Sequence, residues 1–410
     1  MGWALLALAC PPQNAAAQTL VAASPQDETL DAFYLARGNR PLWLTGTGKQ
    51  AQILLDILRT SDADGLVPDR NRIESLEQVL RELRHLNHTT NPKNDRLFTD
   101  AFVDHVRNVR RLKNSDMIWV DPELRPSVVF PRRLLDEAAA APSLEAYLAE
   151  MRWTNPIYAG LRRAIIAGGG NRDLLAPNLD RARALPSGSG RYVIVNAAAA
   201  QLTMVEGGKA VGTMRVVVGK PIYPTPMMAA LIRFTSLNPY WNVPPDLAAE
   251  RIAPEVIKQG QAFLKLKGYQ VLASWDDDAK PIDPTRVNWP AVAAGQREVR
   301  IRQLPGPSNA MGQMKFMFPN ALGIYLHDTP DKQLLSEASR LFSGGCVRLE
   351  DAPRLARWLY EGKPPPAASA KPEQRVDLPA PVSVFLTYLT AVPGEGGITY
   401  YPDVYHRDRR

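Results

Sequence analysis

The chain has 410 residues, 45% of them hydrophobic, and carries 49 lysines and arginines against 42 acidic residues, a formal charge of +7. That length holds two or three domains with real cores, and the composition excludes a disordered chain. No internal stretch reaches the roughly 18 uncharged apolar residues of a spanning helix, and scattered basic residues without a DNA- or RNA-binding motif argue against nucleic acid.

At the N-terminus, Trp3 to Cys10 form an apolar run, and Ala15, Ala16 and Ala17 before Gln18 supply the small-residue pattern cut by a signal peptidase. We therefore expect export, with residues 1–17 as the signal peptide and the periplasm of a Gram-negative-type envelope as the destination. A positively charged start is missing, and acylation of Cys10 fits Ala7 and Leu8 poorly. In an exported chain the positive balance suits carboxylate-rich wall peptides, or serves solubility alone.

Apolar residues at three- and four-residue spacing predict helices over Gln50–Arg59, Arg72–Leu86, Arg96–Leu112 and Ser143–Met151, making residues 28–184 a helical module. Asp62, Asp64 and Gly65 imitate the start of a calcium loop, but no bidentate Glu follows and Pro68 intrudes, so a turn between helices is the better reading. His85 and His88 have no further His or Cys nearby and read as a solvated pair rather than a metal site. Gly168–Gly170 and Pro186–Gly190 break the pattern and set a boundary near 185.

Beyond it, Arg191–Asn196, Gln201–Glu206, Met214–Val218, Phe234–Leu237, Val299–Gln303, Gly323–His327 and Pro381–Thr390 are short, Val/Ile/Tyr-rich and flanked by turn residues. They predict an α+β protein whose second domain, 185–410, is mainly β and sandwich-like. Helical patterning there is confined mainly to Pro245–Gly260 and Ala352–Glu361. Residues 247–297 interrupt the strand series and read as an inserted cap, either a lid or a rigid cover.

After signal cleavage Cys346 is the sole cysteine, in the run Ser343-Gly344-Gly345-Cys346-Val347-Arg348, nineteen residues after His327. An unpaired thiol in an exported chain is either a retained nucleophile or a small buried hydrophobe. A thiol of pKa near 8.5 is only about 3% thiolate at neutral pH and needs a base. His327, closing a strand, is the candidate, with an ordinary strand-end histidine as the alternative. Gly344 and Gly345 permit a tight turn whose N–H groups can face a carbonyl oxygen gaining charge.

Five segments in order, Asn238–Pro245, Leu304–Gly312, Lys315–Asn320, Tyr325–Pro330 and Ser343–Leu349, strongly resemble the L,D-transpeptidase (YkuD) family, specifically its large multidomain bacterial branch. The resemblance covers residues 185–410. It extends to Tyr388–Ala391 and Asp403–Tyr405, which look like closing strands, and touches the helical half at Trp43 and Asp64–Leu66, which implies that residues 28–184 are the helical scaffold domain of that branch. Two departures stand out. Gly344 replaces the second histidine of the Ser-His-Gly-Cys found in shorter members. Only about 20 residues separate Tyr158 from Asn178, leaving no room for the peptidoglycan-binding domain of large members.

The resemblance implies Cys346 as nucleophile and His327 as base in a two-step acyl transfer on peptidoglycan stem peptides. D-Ala leaves a donor tetrapeptide, and a thioester then passes to a second stem as a 3→3 cross-link. It implies an oxyanion site at Gly345 and Cys346 N–H with Tyr325 and a loop at Gly344, and makes the enzyme a carbapenem target. Candidate substrate contacts are Ser343, Trp241, Asn242 and Arg348; Trp241 either borders the groove or serves the core, and Arg348 is either a carboxylate binder or an ion-pair partner of Glu350 or Asp351. Membrane-proximal wall-synthesis proteins are possible partners, and no cofactor is expected. L,D-carboxypeptidase or protein-to-wall attachment activity would share the thioester, and an inactive wall-binding protein is the alternative of another class.

Overall fold

The computed structural model describes residues 29–86, 92–113, 116–276, 279–363, 365, 369 and 371–408. The expected signal peptide, His88 and the His85 side chain lie outside that set.

Helices occupy Leu30–Ala36, Lys49–Arg59, Arg70–Leu86, Pro92–Arg110, Pro131–Ala140, Leu144–Ala149, Pro156–Ile166 and Arg172–Ala182. The first four long patterns read from sequence fall on helices, whereas 131–140, 156–166 and 172–182 are additional. An alanine-rich end, the triple glycine and Pro177 within the last helix obscured their periodicity. Trp43, Phe98, Phe102, Trp153 and Tyr158 fill their common core. Asp95, fully buried, accepts the backbone N–H groups of Leu42, Trp43 and Leu44, each at 2.8 Å, so it orders a stretch with no helix of its own. The Asp62–Gly65 stretch is a turn between helices, as expected: a 3-10 turn at Ser61–Asp64 ending on Gly65 at φ 66°. Asp64 turns inward and is fully buried against Arg162 and Tyr158, at 2.9 and 2.7 Å.

In the second half we label the strands β1 (Tyr192–Asn196), β2 (Gln201–Glu206), β3 (Lys209–Gly219), β4 (Met228–Leu237), β5 (Met314–Met317), β6 (Leu326–His327), β7 (Val347–Leu349) and β8 (Gln374–Thr387). Their order is β4-β8-β1-β2-β3-β7-β6-β5, and β5 pairs back onto β4. The sheet thus closes on itself, its walls facing each other across one core that includes Val193, Val195, Leu202, Val216, Ala230, Phe316, Leu326, Val347 and Leu386. The register of β8 against β4 slips between Asp377 and Val382, where Pro379 and Pro381 cannot donate to the ladder.

The cap is a unit with its own core. Strands Trp241–Val243, Tyr269–Leu272 and Arg300–Gln303 form a small antiparallel sheet under short helices. Val243, Ile252, Val256, Val271, Trp289 and Ile301 pack between them. Its core therefore extends beyond the expected 247–297 on both sides.

The boundary near 185 is crossed by the C-terminus. A hairpin of Ala391–Gly394 and Gly397–Tyr400 returns to helix Pro156–Ile166, where Gly160 faces Pro393 so closely that a Cβ would sit 2.5 Å away. Asn178 and Thr390 exchange two 2.8 Å hydrogen bonds, and Arg181 pairs with Asp408. Asp403–Tyr405 is not a strand, contrary to expectation. The Tyr388 hydroxyl bonds Asp403 at 2.9 Å and Tyr405 reaches the Gly219 carbonyl at 2.6 Å, side-chain ties that hold the tail without a ladder.

Candidate active site

Strand pairing assembles the site. β6 and β7 run parallel with Leu326 opposite Val347 and His327 opposite Arg348, which sets Cys346 level with Tyr325. Side chains alternate faces along a strand, while residues in register share one. Leu326, Val347 and Phe316 therefore point into the core, each fully buried. Tyr325, His327, Cys346 and Arg348 fall on the other face, joined by Lys315, which lies opposite His327 on β5.

The turn that presents Cys346 is held from both sides. Ser343 is buried; its hydroxyl donates to the Cys346 carbonyl at 2.5 Å and accepts the Gly345 N–H at 3.1 Å. Gly345 has φ 114°, a conformation that favours glycine. Its carbonyl accepts from Thr225 Oγ1 at 2.8 Å, and the same hydroxyl takes the Gly219 N–H at 2.9 Å. Two expectations change here. Ser343 is turned into its own loop rather than toward substrate, and the Gly345 N–H is engaged by that hydroxyl, which removes it as an oxyanion donor.

His327 is buried, and its Nδ1 lies 2.6 Å from the Asp328 carbonyl. A carbonyl only accepts, so Nδ1 carries the proton and Nε2 presents a lone pair. Asp328 is itself fixed by the Gln313 N–H at 3.0 Å and the Lys332 ammonium at 2.8 Å. The Tyr325 ring stands edge-on to the imidazole at 5.8 Å.

Burial pushes the Cys346 thiol up to about 11, against hydrogen bonds from Tyr325 and the charges of Arg348 and Lys315, which pull it down. Burial, reinforced by Arg348, presses His327 down to about 3, although the Asp328 carbonyl opposes the shift. Both groups are therefore neutral at pH 7 in the free protein: a protonated thiol and an imidazole able to take its proton. Below about 11 each pH unit multiplies the thiolate fraction tenfold. Alkylation of Cys346 by iodoacetamide, followed by mass spectrometry, is expected to climb about tenfold per unit between pH 7 and 9. A rate flat from pH 5 upward would mean a resting thiolate–imidazolium pair instead.

Arg348 pairs with Asp331 at 3.5 Å, not with Glu350 or Asp351 as one reading had it. Glu350 is taken by Arg215, and Asp351 caps helix Ala352–Leu359. Trp241 packs against the cap core with its ring 6.3 Å from Tyr269, so it anchors the cap, while its neighbour Asn242 is exposed. Gly344 lies beneath the cap, where a Cβ would be 3.5 Å from Leu247 Cδ1. Thr225, Asp328, Lys315 and Tyr405 were not singled out from sequence. Asp328, Lys315 and Tyr405 sit inside the quoted segments, whereas nothing local marks Thr225. Among the described residues no His, Cys, Asp and Glu cluster fits a metal ion, and no helix is long and apolar enough to cross a membrane.

A thiol and an imidazole sharing the outer face of a closed β sheet, behind a helical domain, define a candidate acyl-transfer protein. Residues 190–368 match the L,D-transpeptidase catalytic domain (YkuD), and residues 28–165 match a Scaffold domain. The chain therefore carries an L,D-transpeptidase catalytic domain with a Scaffold domain N-terminal to it. A curated protein of Haemophilus influenzae named "Putative L,D-transpeptidase" is 32% identical over 246 residues, covering 58% of this chain and 48% of that protein. The chain thus spans about half the length of that relative. A solved L,D-transpeptidase from Mycobacterium smegmatis aligns with 48% of this chain and 58% of its own at 15% identity and a TM-score of 0.22, too loose a likeness to bear on the fold.

Proposed function

We propose that the protein is a periplasmic peptidoglycan L,D-transpeptidase that forms 3→3 cross-links through a Cys346 thioester. The observation that carries this reading is the common face of Cys346, His327, Tyr325 and Arg348, with Nε2 of His327 left as the proton acceptor. As a donor tetrapeptide enters, Nε2 takes the thiol proton and sulfur attacks the carbonyl of the third residue. The Cys346 N–H and the Tyr325 hydroxyl stabilise the oxyanion. Collapse breaks the amide bond; His327 returns its proton to the departing D-Ala nitrogen, leaving the thioester. The side-chain amine of a second stem then attacks, losing a proton to His327, and the new amide forms as sulfur leaves and is reprotonated.

The reading includes removal of residues 1–17 on export. Its test is incubation of the purified chain from Gln18 onward with a stem tetrapeptide, followed by mass spectrometry. Release of D-Ala with appearance of a dimer lacking one D-Ala is expected. Release of D-Ala with tripeptide alone would make the activity L,D-carboxypeptidase. No release from folded protein with a reduced thiol would favour a wall-binding protein without turnover.

A further inference from the structure

The cap places one more cation at the site. Pro254 has no N–H to give the Glu250 carbonyl, and the segment just before it, Ala248–Ile252, winds as a π-helical turn. That turn sits against the nucleophile loop: Leu247 lies over Gly344, and Glu250 accepts the Tyr223 hydroxyl at 2.7 Å. Arg251, next after Glu250 on that turn and half-buried, lies within electrostatic reach of Arg348. Glu250 is occupied by Tyr223, and Arg251 has no acidic partner within ion-pair distance among the described residues. Arg348 has only its 3.5 Å pairing with Asp331, and its buried Nε lacks a hydrogen-bond partner. Two guanidinium groups, one carried by the cap turn over the nucleophile loop and one two residues beyond Cys346, make a site short of an anion.

We propose that Arg251 and Arg348 clamp the terminal carboxylate of the donor peptide, making Arg251 a specificity-determining residue contributed by the cap. This rests on the L,D-transpeptidase reading above. The carboxylate one residue past the scissile carbonyl lies within about 4 Å of the reacting carbon, since adjacent residues are about 3.8 Å apart. Guanidinium groups bind carboxylates through charge-assisted paired hydrogen bonds. The clamp reads the chain end: a peptide that continues, or ends in an amide, offers no charge and leaves two cations facing each other.

The test compares a tetrapeptide donor ending in D-Ala with the same peptide ending in D-Ala amide, by kcat/KM for release of the last residue. The parent is expected to prefer the carboxylate. Arg251→Ala and Arg251→Gln are expected to lower that preference about ten- to a hundredfold, leaving the amide donor little changed. Arg251→Lys is expected to recover part of it. Labelling of Cys346 by neutral chloroacetamide at the parent rate checks that the site is intact. An unchanged preference in the variants, equal losses on both donors, or a parent indifferent to the terminus overturns the clamp and leaves the enzyme assignment standing. A parent that turns over neither peptide while chloroacetamide still labels Cys346 overturns the assignment, and the clamp with it.

Discussion

Cys346→Ala is expected to abolish covalent capture of a carbapenem, and His327→Ala to slow it by about 10²- to 10⁴-fold. The lactam carbonyl of such a compound is opened by a thiolate without losing a fragment, so the acyl-enzyme persists and intact-protein mass spectrometry reads it as an added mass. The His327 effect is large because burial holds the thiol up at about 11. Without a base in reach, sulfur must shed its proton into surroundings that disfavour the anion. Arg348 and Lys315 lower that cost but accept no proton. Cys346→Ser is expected to behave like Cys346→Ala, because a hydroxyl is still harder to ionise. An adduct surviving in Cys346→Ala would locate the nucleophile elsewhere, and a His327→Ala rate equal to the parent's would remove the imidazole from the base role.

Arg162→Ala is expected to destabilise the scaffold domain by about 3–5 kcal/mol, the cost of leaving a buried charge without its partner. Asp64 is wholly buried, and Arg162 is its ion-pair partner at 2.9 Å. The same guanidinium satisfies the carbonyls of Ile57 and Thr60 at 3.0 and 3.2 Å, so its loss also strands the end of helix Lys49–Arg59. Urea unfolding followed by tryptophan fluorescence reads the change, with Trp43 and Trp153 reporting from that core. The double variant Asp64→Asn/Arg162→Met is expected to recover part of the loss by removing both charges. A single variant within about 0.5 kcal/mol of the parent would show that water reaches the pair.

The helical half was legible where the apolar stripe was uninterrupted, as in Arg70–Leu86 and Pro92–Arg110. It was hidden where glycine or proline broke the stripe, as around Gly168–Gly170 and Pro177. In the β half, Val/Ile/Tyr-rich runs between turn residues revealed Tyr192–Asn196 and Gln201–Glu206. The three- and four-residue strands Val347–Leu349 and Met314–Met317 are too short for a period to register. These are the strands that carry or flank the site.

The residue types, the spacing of His327 and Cys346, and the glycine turn between Ser343 and Cys346 were all present in the sequence, because local backbone needs and side-chain chemistry are written residue by residue. Tertiary structure alone decided which groups share a face, since that depends on parallel register between segments nineteen residues apart. It also decided that the Gly345 N–H belongs to Ser343, that Arg348 meets Asp331, and that the cap turn carrying Arg251 lies against the nucleophile loop. Each of these follows from chain closure and packing, which bring together groups whose separation in sequence carries no trace of their contact.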